Sequence, residues 1–509
     1  MTAPGEWASA VCATPSDVHG KGFELSDNQD EMHDPKPNVR QAAASTGRRR
    51  FLRQASLAAA SMALVRHGAA WPASPVSPAS PASPPSPPQS AAPDYRIEIQ
   101  EIEWELSPRK KIRTSAYDGQ IPGRRLDVTE GKPVAIEIVN RLDHPEIVHW
   151  HGQWIPVEAD GAMEEGSLMI PAGSSTRVAF TPRPAGLHWY HTHAMAERDL
   201  KRGLYSGQFG VLHVATPGDP GRYDQQQFIV LHDWEPFYSP SDDGSLMVMY
   251  GSGSINGRML GYDWPIQVRE GQRVLFHILN AGATEPHWLA LPGHRFQVIA
   301  LDGRPVATQA DVEVLRLGPA ERVSALVTMN TPGVWILGEA QQQFLKAGMG
   351  TVIEYAGHTG KPLGPKAVKL QWDYRAFGAA APTRHTPDVI LPLVFTSRFR
   401  GHGALDEWRI NGKSWPATDP IQLTQGLRHR LVFVNRSSDD HPVHLHRHNF
   451  ELVSIRGNPM SGVFKDVVIV EAGTTVEADL IAANPGNSLF HCHQQDHMDA
   501  GFMALFRYT

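Results

Sequence analysis

The sequence predicts an all-β protein of three consecutive β-sandwich domains, and three observations lead there. A segment centred on a glycine recurs without a gap as LDVTEGKPVAIEIVN (126–140), IQVREGQRVLFHILN (266–280) and IQLTQGLRHRLVFVN (421–435). Apolar and polar residues alternate on both sides of Gly131, Gly271 and Gly426, each nine residues before Asn140, Asn280 or Asn435, which reads as strand, tight turn, strand. Two further segments recur in the same order: PAGSSTRVAF (171–180), GPAERVSALV (318–327) and EAGTTVEADL (471–480), then PAGLHWYHTH (184–193), TPGVWILGEA (331–340) and NPGNSLFHCH (484–493). No stretch sustains a helical apolar period, whereas Gly and Pro turns are frequent. Antiparallel, strand-rich units of roughly 110–150 residues in tandem are expected to form sandwiches.

The repeats place the domains at 94–217, 222–380 and 390–509, with KAVKLQWDYRAFGAAAPTRHTPDV closing the second and leading into the third. Ahead of them, a polar lead runs into TGRRRFLRQASLAAASMALV, where Arg48 and Arg49 precede Phe51, Leu52 and a mild apolar segment with small residues at 68–70. Residues 1–70 thus resemble a twin-arginine export signal, and the chain is expected to be exported to the periplasm by that machinery. Residues 71–93 form a Pro/Ser tract too poor in apolar side chains to pack. A formal charge of −6 without a basic stripe argues against a nucleic-acid partner. No apolar run reaches the roughly 18 residues that would cross a bilayer. Removal of the signal takes Cys12 with it and leaves Cys492 alone, so no intramolecular disulfide is expected.

Comparing the repeats exposes the chemistry. His149 and His151 lie nine and eleven residues after Asn140, and His444 and His446 stand at the same places after Asn435. His191 and His193 follow Gly186 by five and seven residues, as His491 and His493 follow Gly486. The middle copy has HWL at 287–289, and Gly338 and Ala340 where the second pair would be. Residues i and i+2 of a strand share a face, so four such pairs aim eight imidazoles at one region between domains one and three. Neutral imidazole suits copper, zinc, iron and nickel, and eight are too many for one ion. Cys492, between His491 and His493, must point to the opposite face. There His497 and His441 complete a Cys-His-His set of the blue-copper kind.

The motifs HWHG (149–152), WYHTH (189–193), HPVHLH (441–446) and HCHQQDH (491–497) resemble the four copper-binding motifs of the multicopper oxidases. The resemblance implies cupredoxin-like Greek-key sandwiches and four copper ions. It implies a type 1 copper on His441, Cys492 and His497, and a type 2 copper on His149 and His444. The type 3 pair would be held by His151, His191 and His493 on one ion and by His193, His446 and His491 on the other. It further implies one-electron oxidation of a reducing substrate at type 1 copper, coupled to reduction of O2 to water. Asp160, nine residues after His151, matches an acidic residue that relatives use to supply protons. The axial position falls at Phe502, which cannot donate, so a raised reduction potential is expected unless a strand shift brings Met503 there. Met498 stands where several bacterial relatives carry a second proton-relay carboxylate, with Asp496 and Asp499 nearby. His144, His188 and His448 fall off the matching positions and read as structural. The expected activity is laccase-like, on phenols or aromatic amines. The alternative is a metallo-oxidase that oxidises Cu(I) or another reduced metal ion, which the lack of a Met-rich run disfavours. A copper-free binding protein on the same scaffold comes third.

Overall fold

Each repeat glycine carries the chain from one sheet of a sandwich to the other. Gly131, Gly271 and Gly426 take φ of 74°, 82° and 83°, the left-handed region open to a residue without Cβ. Their N–H groups are held by Pro182 O, Met329 O and Ala482 O, the same place in each copy. The computed structural model describes residues 92–216, 222–366 and 368–509. The twin-arginine segment, Cys12 and residues 71–91 of the Pro/Ser tract lie outside the described residues.

Because the glycine turn crosses the sandwich, the strands on its two sides do not pair with each other. In the first sandwich Gly123–Thr129 runs parallel to Phe209–Ala215, while Val134–Asn140 runs parallel to the start of Tyr95–Ser107. The second and third sandwiches repeat both parallel pairings, through Ile266–Val268 and Arg273–Asn280 and through Ile421–Leu423 and Arg428–Asn435. The expected antiparallel pairing thus holds for the other strand neighbours but not for these six. A strand that crosses between sheets arrives beside the domain's first or last strand in the same direction, whereas the remaining neighbours are antiparallel.

The repeat asparagine has one task in all three copies. Asn140 Nδ2 donates to His144 O and Ile170 O, and its Oδ1 accepts from Leu142 N. Asn280 holds Glu285 O, Leu317 O and Gly282 N, and Asn435 holds Asp439 O, Val470 O and Ser437 N. A buried amide that closes the loop in this way delivers the next strand, which bears the histidines, at a fixed place.

Those strands pair in equivalent register. In Val148–His151, His149 lies opposite His191 of Gly186–Thr192. In His441–Leu445, Val443 faces Cys492 and His444 faces His491 of Ser488–Cys492. The residues between the paired histidines are Trp150, Thr192, Leu445 and Cys492. Trp150 packs in the first core against Phe180 and Tyr190, with ring centroids 5.1 and 5.8 Å away. Burial of the Leu445 side chain contributes about 1.5–3 kcal/mol. Among the described residues helices are confined to short pieces such as Val157–Asp160 and Gln495–Asp499, and none is long and apolar enough to cross a membrane.

Candidate metal centre

All eight paired histidines converge, none more than 3% exposed. His149 stacks on His446 (3.9 Å between centroids) and His151 on His444 (3.8 Å), so the first and third sandwiches interleave their rings. Hydrogen bonds to pure acceptors settle where several protons sit. His191 Nδ1 donates to Thr192 O (2.8 Å), His491 Nδ1 to Cys492 O (2.8 Å), His446 Nδ1 to Asp160 Oδ2 (2.7 Å) and His444 Nδ1 to Asp466 O (2.8 Å). His151 is turned the other way, with Nε2 donating to Asp466 Oδ1 (3.1 Å).

The remaining nitrogens carry lone pairs that face one another. His446 Nε2 and His491 Nε2 are 3.1 Å apart, and His191 Nε2 lies 3.5 Å from His151 Nδ1. The Nε2 atoms of His149 and His444 and both ring nitrogens of His493 are buried without a hydrogen-bond partner. Opposed lone pairs in a dry cluster repel unless cations sit at their focus, so the donor set fits metal ions that favour neutral imidazole. Burial, with the neighbouring rings adding to it, holds His151, His191, His193, His444, His491 and His493 well below the ordinary imidazole value, which keeps them neutral.

Of the expected groupings, His193, His446 and His491 bring donor nitrogens within 4.8 Å of one another. His493 stands with its ring 5.1 Å from His151 and 5.3 Å from His191. His149 and His444 lie with centroids 5.8 Å apart.

On the opposite face, Cys492 Sγ lies 3.7 Å from His441 Nδ1 and 3.6 Å from His497 Nδ1, and these two nitrogens are 3.1 Å apart. Burial pushes the Cys492 thiol well above its ordinary value and pulls His497 down to about 3, so a thiolate here requires a cation to balance it. Ser437 Oγ meets His441 Nε2 at 2.8 Å, which leaves Nδ1 turned toward the sulfur. Phe502 is fully buried with its ring 4.7 Å from that of His441. Met503 pairs with His491 in the next strand and packs with Ala162, Leu489 and Met498 in a separate apolar cluster.

Asp160 ends the Val157–Asp160 helix, fully buried. Its Oδ2 lies 3.2 Å from His149 Nδ1 besides accepting from His446, and its carbonyl accepts from His149 (2.9 Å). Burial opposes its charge, but His149 and His446 outweigh that and hold the carboxyl well below the usual range. Asp496 and Asp499, raised by burial to about 6 and about 7, bind His497 N and Gln495 Nε2. His448 bonds Tyr508 OH, and His188 lies against the Arg322 guanidinium. Sequence reasoning missed Asp466 and Arg322, which stand behind the cluster. The available signal was Glu321–Arg322 in the second copy, where the others have Ser174–Ser175 and Thr474–Thr475.

Multicopper oxidase family profiles match residues 98–218, 228–356 and 388–509. Multicopper oxidase MmcO of Mycobacterium tuberculosis is 30% identical over 441 residues, covering 78% of this chain and 83% of that protein. Laccase-4 of Thanatephorus cucumeris is 26% identical over 479 residues, covering 79% and 87%. The crystal structure of a multicopper oxidase from Pseudomonas thermotolerans superposes with a TM-score of 0.66 at 24% identity, covering 82% of this chain and 98% of that one. With family profiles spanning all three sandwiches and a relative matched along most of its length, the chain belongs to the multicopper oxidases, copper oxidoreductases that use O2.

Proposed function

We propose that the chain is a laccase-like oxidase, exported to the periplasm by the twin-arginine route, that oxidises phenols or aromatic amines with one type 1, one type 2 and two type 3 coppers. The observation that carries this reading is the Ser488–Cys492 strand with the residue after it, where the Cys492 sulfur joins His441 and His497 on one face while His491 and His493 join the eight-imidazole cluster on the other. Copper bound at these two places supplies one-electron oxidation of the donor and four-electron reduction of O2. The chain's own part is to hold the two places apart by a few covalent bonds, with electrons entering at the edge of His497, whose 9% exposure is the largest among the proposed ligands. Asp160, on His446 and His149, is the group assigned to pass protons to the cluster. Phe502, with no donor atom, favours the less charged copper state and so a high driving force.

A second reading, oxidation of Cu(I) or another reduced metal ion, draws on acidic groups near the same edge. Asp439 is held above its ordinary range by burial and by the charges of Asp496, Asp406, Asp440 and Asp243. Such a field attracts cations. Copper analysis and O2 uptake on the purified protein, with a phenol and with Cu(I) as donors, separate the readings. Four coppers with uptake driven mainly by the phenol support the first, and uptake driven mainly by Cu(I) supports the second. Fewer than four coppers without uptake from either donor would overturn both.

A further inference from the structure

The middle sandwich supplies none of the cluster histidines, yet one of its side chains ends directly behind them. In its copy of the repeat, Ala320, Glu321 and Arg322 replace the Gly-Ser-Ser of 173–175 and the Gly-Thr-Thr of 473–475. Ala320 adopts φ 71°, matching its glycine counterparts at 66° and 69°, although a Cβ makes that conformation unfavourable. Two residues on, Arg322 enters the interior, where it is completely buried.

The Arg322 guanidinium is fully engaged. Nε donates to Leu187 O (3.2 Å), Nη1 to Ala320 O (3.1 Å) and Nη2 to Asp302 O (3.3 Å). The two outer nitrogens also fork onto Asp466, Nη1 to Oδ1 (2.5 Å) and Nη2 to Oδ2 (2.7 Å). Asp466 in turn meets one cluster histidine from each outer sandwich: Oδ1 accepts from His151 Nε2 (3.1 Å), and its carbonyl accepts from His444 Nδ1 (2.8 Å). Asp302, also from the middle sandwich, accepts from the backbone of Asp466 (3.3 Å) and Val467 (3.1 Å). Lys465 Nζ reaches Asp302 and Glu321 at 3.0 Å each. Residues 465–467 are thus held by the middle sandwich and themselves hold His151 and His444.

The consequence is a choice of nitrogen. His191, His444, His446 and His491 carry the proton on Nδ1 and present Nε2, whereas Asp466 makes His151 carry it on Nε2 and present Nδ1. A two-pronged guanidinium–carboxylate contact fixes the carboxylate plane, and so the plane of the ring bonded to it. The surrounding space is full. A Cβ on Gly152 would lie 2.7 Å from Arg322 Nη2, Asp466 Oδ2 and His188 Nδ1 alike.

We propose that Arg322 is a positioning residue for the trinuclear copper group: its fork onto Asp466 lets the ligand-free middle sandwich set the nitrogen that His151 presents and anchor His444. This rests on the reading of the eight histidines as a trinuclear copper site. The test uses the full-length copper-loaded protein as wild type, Arg322→Lys, Arg322→Met and Asp466→Asn. Each is followed through a chelator titration by copper content, by the thiolate–copper absorption of the Cys492 site, by paramagnetic resonance of cluster copper and by melting temperature. Arg322→Met and Asp466→Asn should release cluster copper at chelator concentrations about 10- to 100-fold lower than wild type while the Cys492 absorption holds. Arg322→Lys, which keeps the charge without the fork, should fall between. If Arg322→Met does not fold, the lysine and asparagine variants decide. Parallel loss of both kinds of copper with an earlier melt would make Arg322 a structural brace and overturn the proposal, as would wild-type titrations and spectra in all variants. A wild type that binds copper at Cys492 but none among the eight histidines would overturn the proposed function, and this inference with it.

Discussion

Phe502 and Met503 are neighbours in sequence but face different surroundings, with Phe502 just ahead of the Met503–Tyr508 strand that Met503 opens. Phe502 packs on His441, Phe395 and Trp408, and Met503 joins Met498 and Leu489. Phe502→Met should therefore lower the reduction potential of the Cys492 copper, by about 59 mV for each tenfold gain in relative affinity for the oxidised ion. Met503→Leu should leave it in place. Redox titration of the thiolate–copper absorption checks both, and an unchanged or higher potential in Phe502→Met would remove Phe502 from the axial role. At Asp160, replacement by Asn should leave reduction by substrate intact but slow O2 consumption on the order of 10²- to 10⁴-fold, as expected for loss of a carboxylate that takes up protons and passes them on. Stopped-flow separation of the two half-reactions measures this.

At the scale of elements, the middle sandwich shows what stands where the third carries His441 and Cys492. His287, which pairs with Leu317 as His441 pairs with Val470, is clasped between Asp233 Oδ2 and Glu339 Oε2, both at 3.0 Å, and all three are buried. Burial opposes its protonation, but Asp233 and then Glu339 outweigh it and raise it to about 10. Since the folded value exceeds the unfolded one of 6.5, the stability it contributes is complete below pH 6.5 and is lost as pH rises toward 10. His287→Gln leaves two buried carboxylates short of a cation and should cost roughly 3–5 kcal/mol near neutral pH, less in alkali. Denaturant unfolding at pH 6 and pH 9.5 reads the difference. The HWL remnant was legible in the sequence. Its acidic partners were not, because Glu339 reaches His287 from the neighbouring strand and Asp233 from the opposite sheet.

Over the whole molecule, buried neutral histidines set the acid limit. Burial lowers His232 and His448 to about 4 and His277 to about 3, from an ordinary 6.5. A depressed folded value means that the unfolded chain takes up protons first. The associated stability is present above pH 6.5 and falls with pH toward 4, on the order of 3 kcal/mol for each group at the limit. Copper-free protein should thus melt progressively earlier between pH 6.5 and 4 in calorimetry. A flat profile there would contradict the burial of these rings.

The sequence by itself determined the three-fold repeat, the pairing of histidines in the first and third copies, and the two faces of Cys492, because strand alternation and motif spacing are local properties of the chain. The tertiary structure alone decided that the glycine turns cross between sheets and generate parallel pairs, and that Asp160 sits behind His149 and His446. It alone brought Arg322 of the middle copy onto Asp466 behind His151. Those contacts join residues as far apart as 144 and 315 positions, and no local pattern encodes which buried charge will find which partner once three sandwiches close on one another.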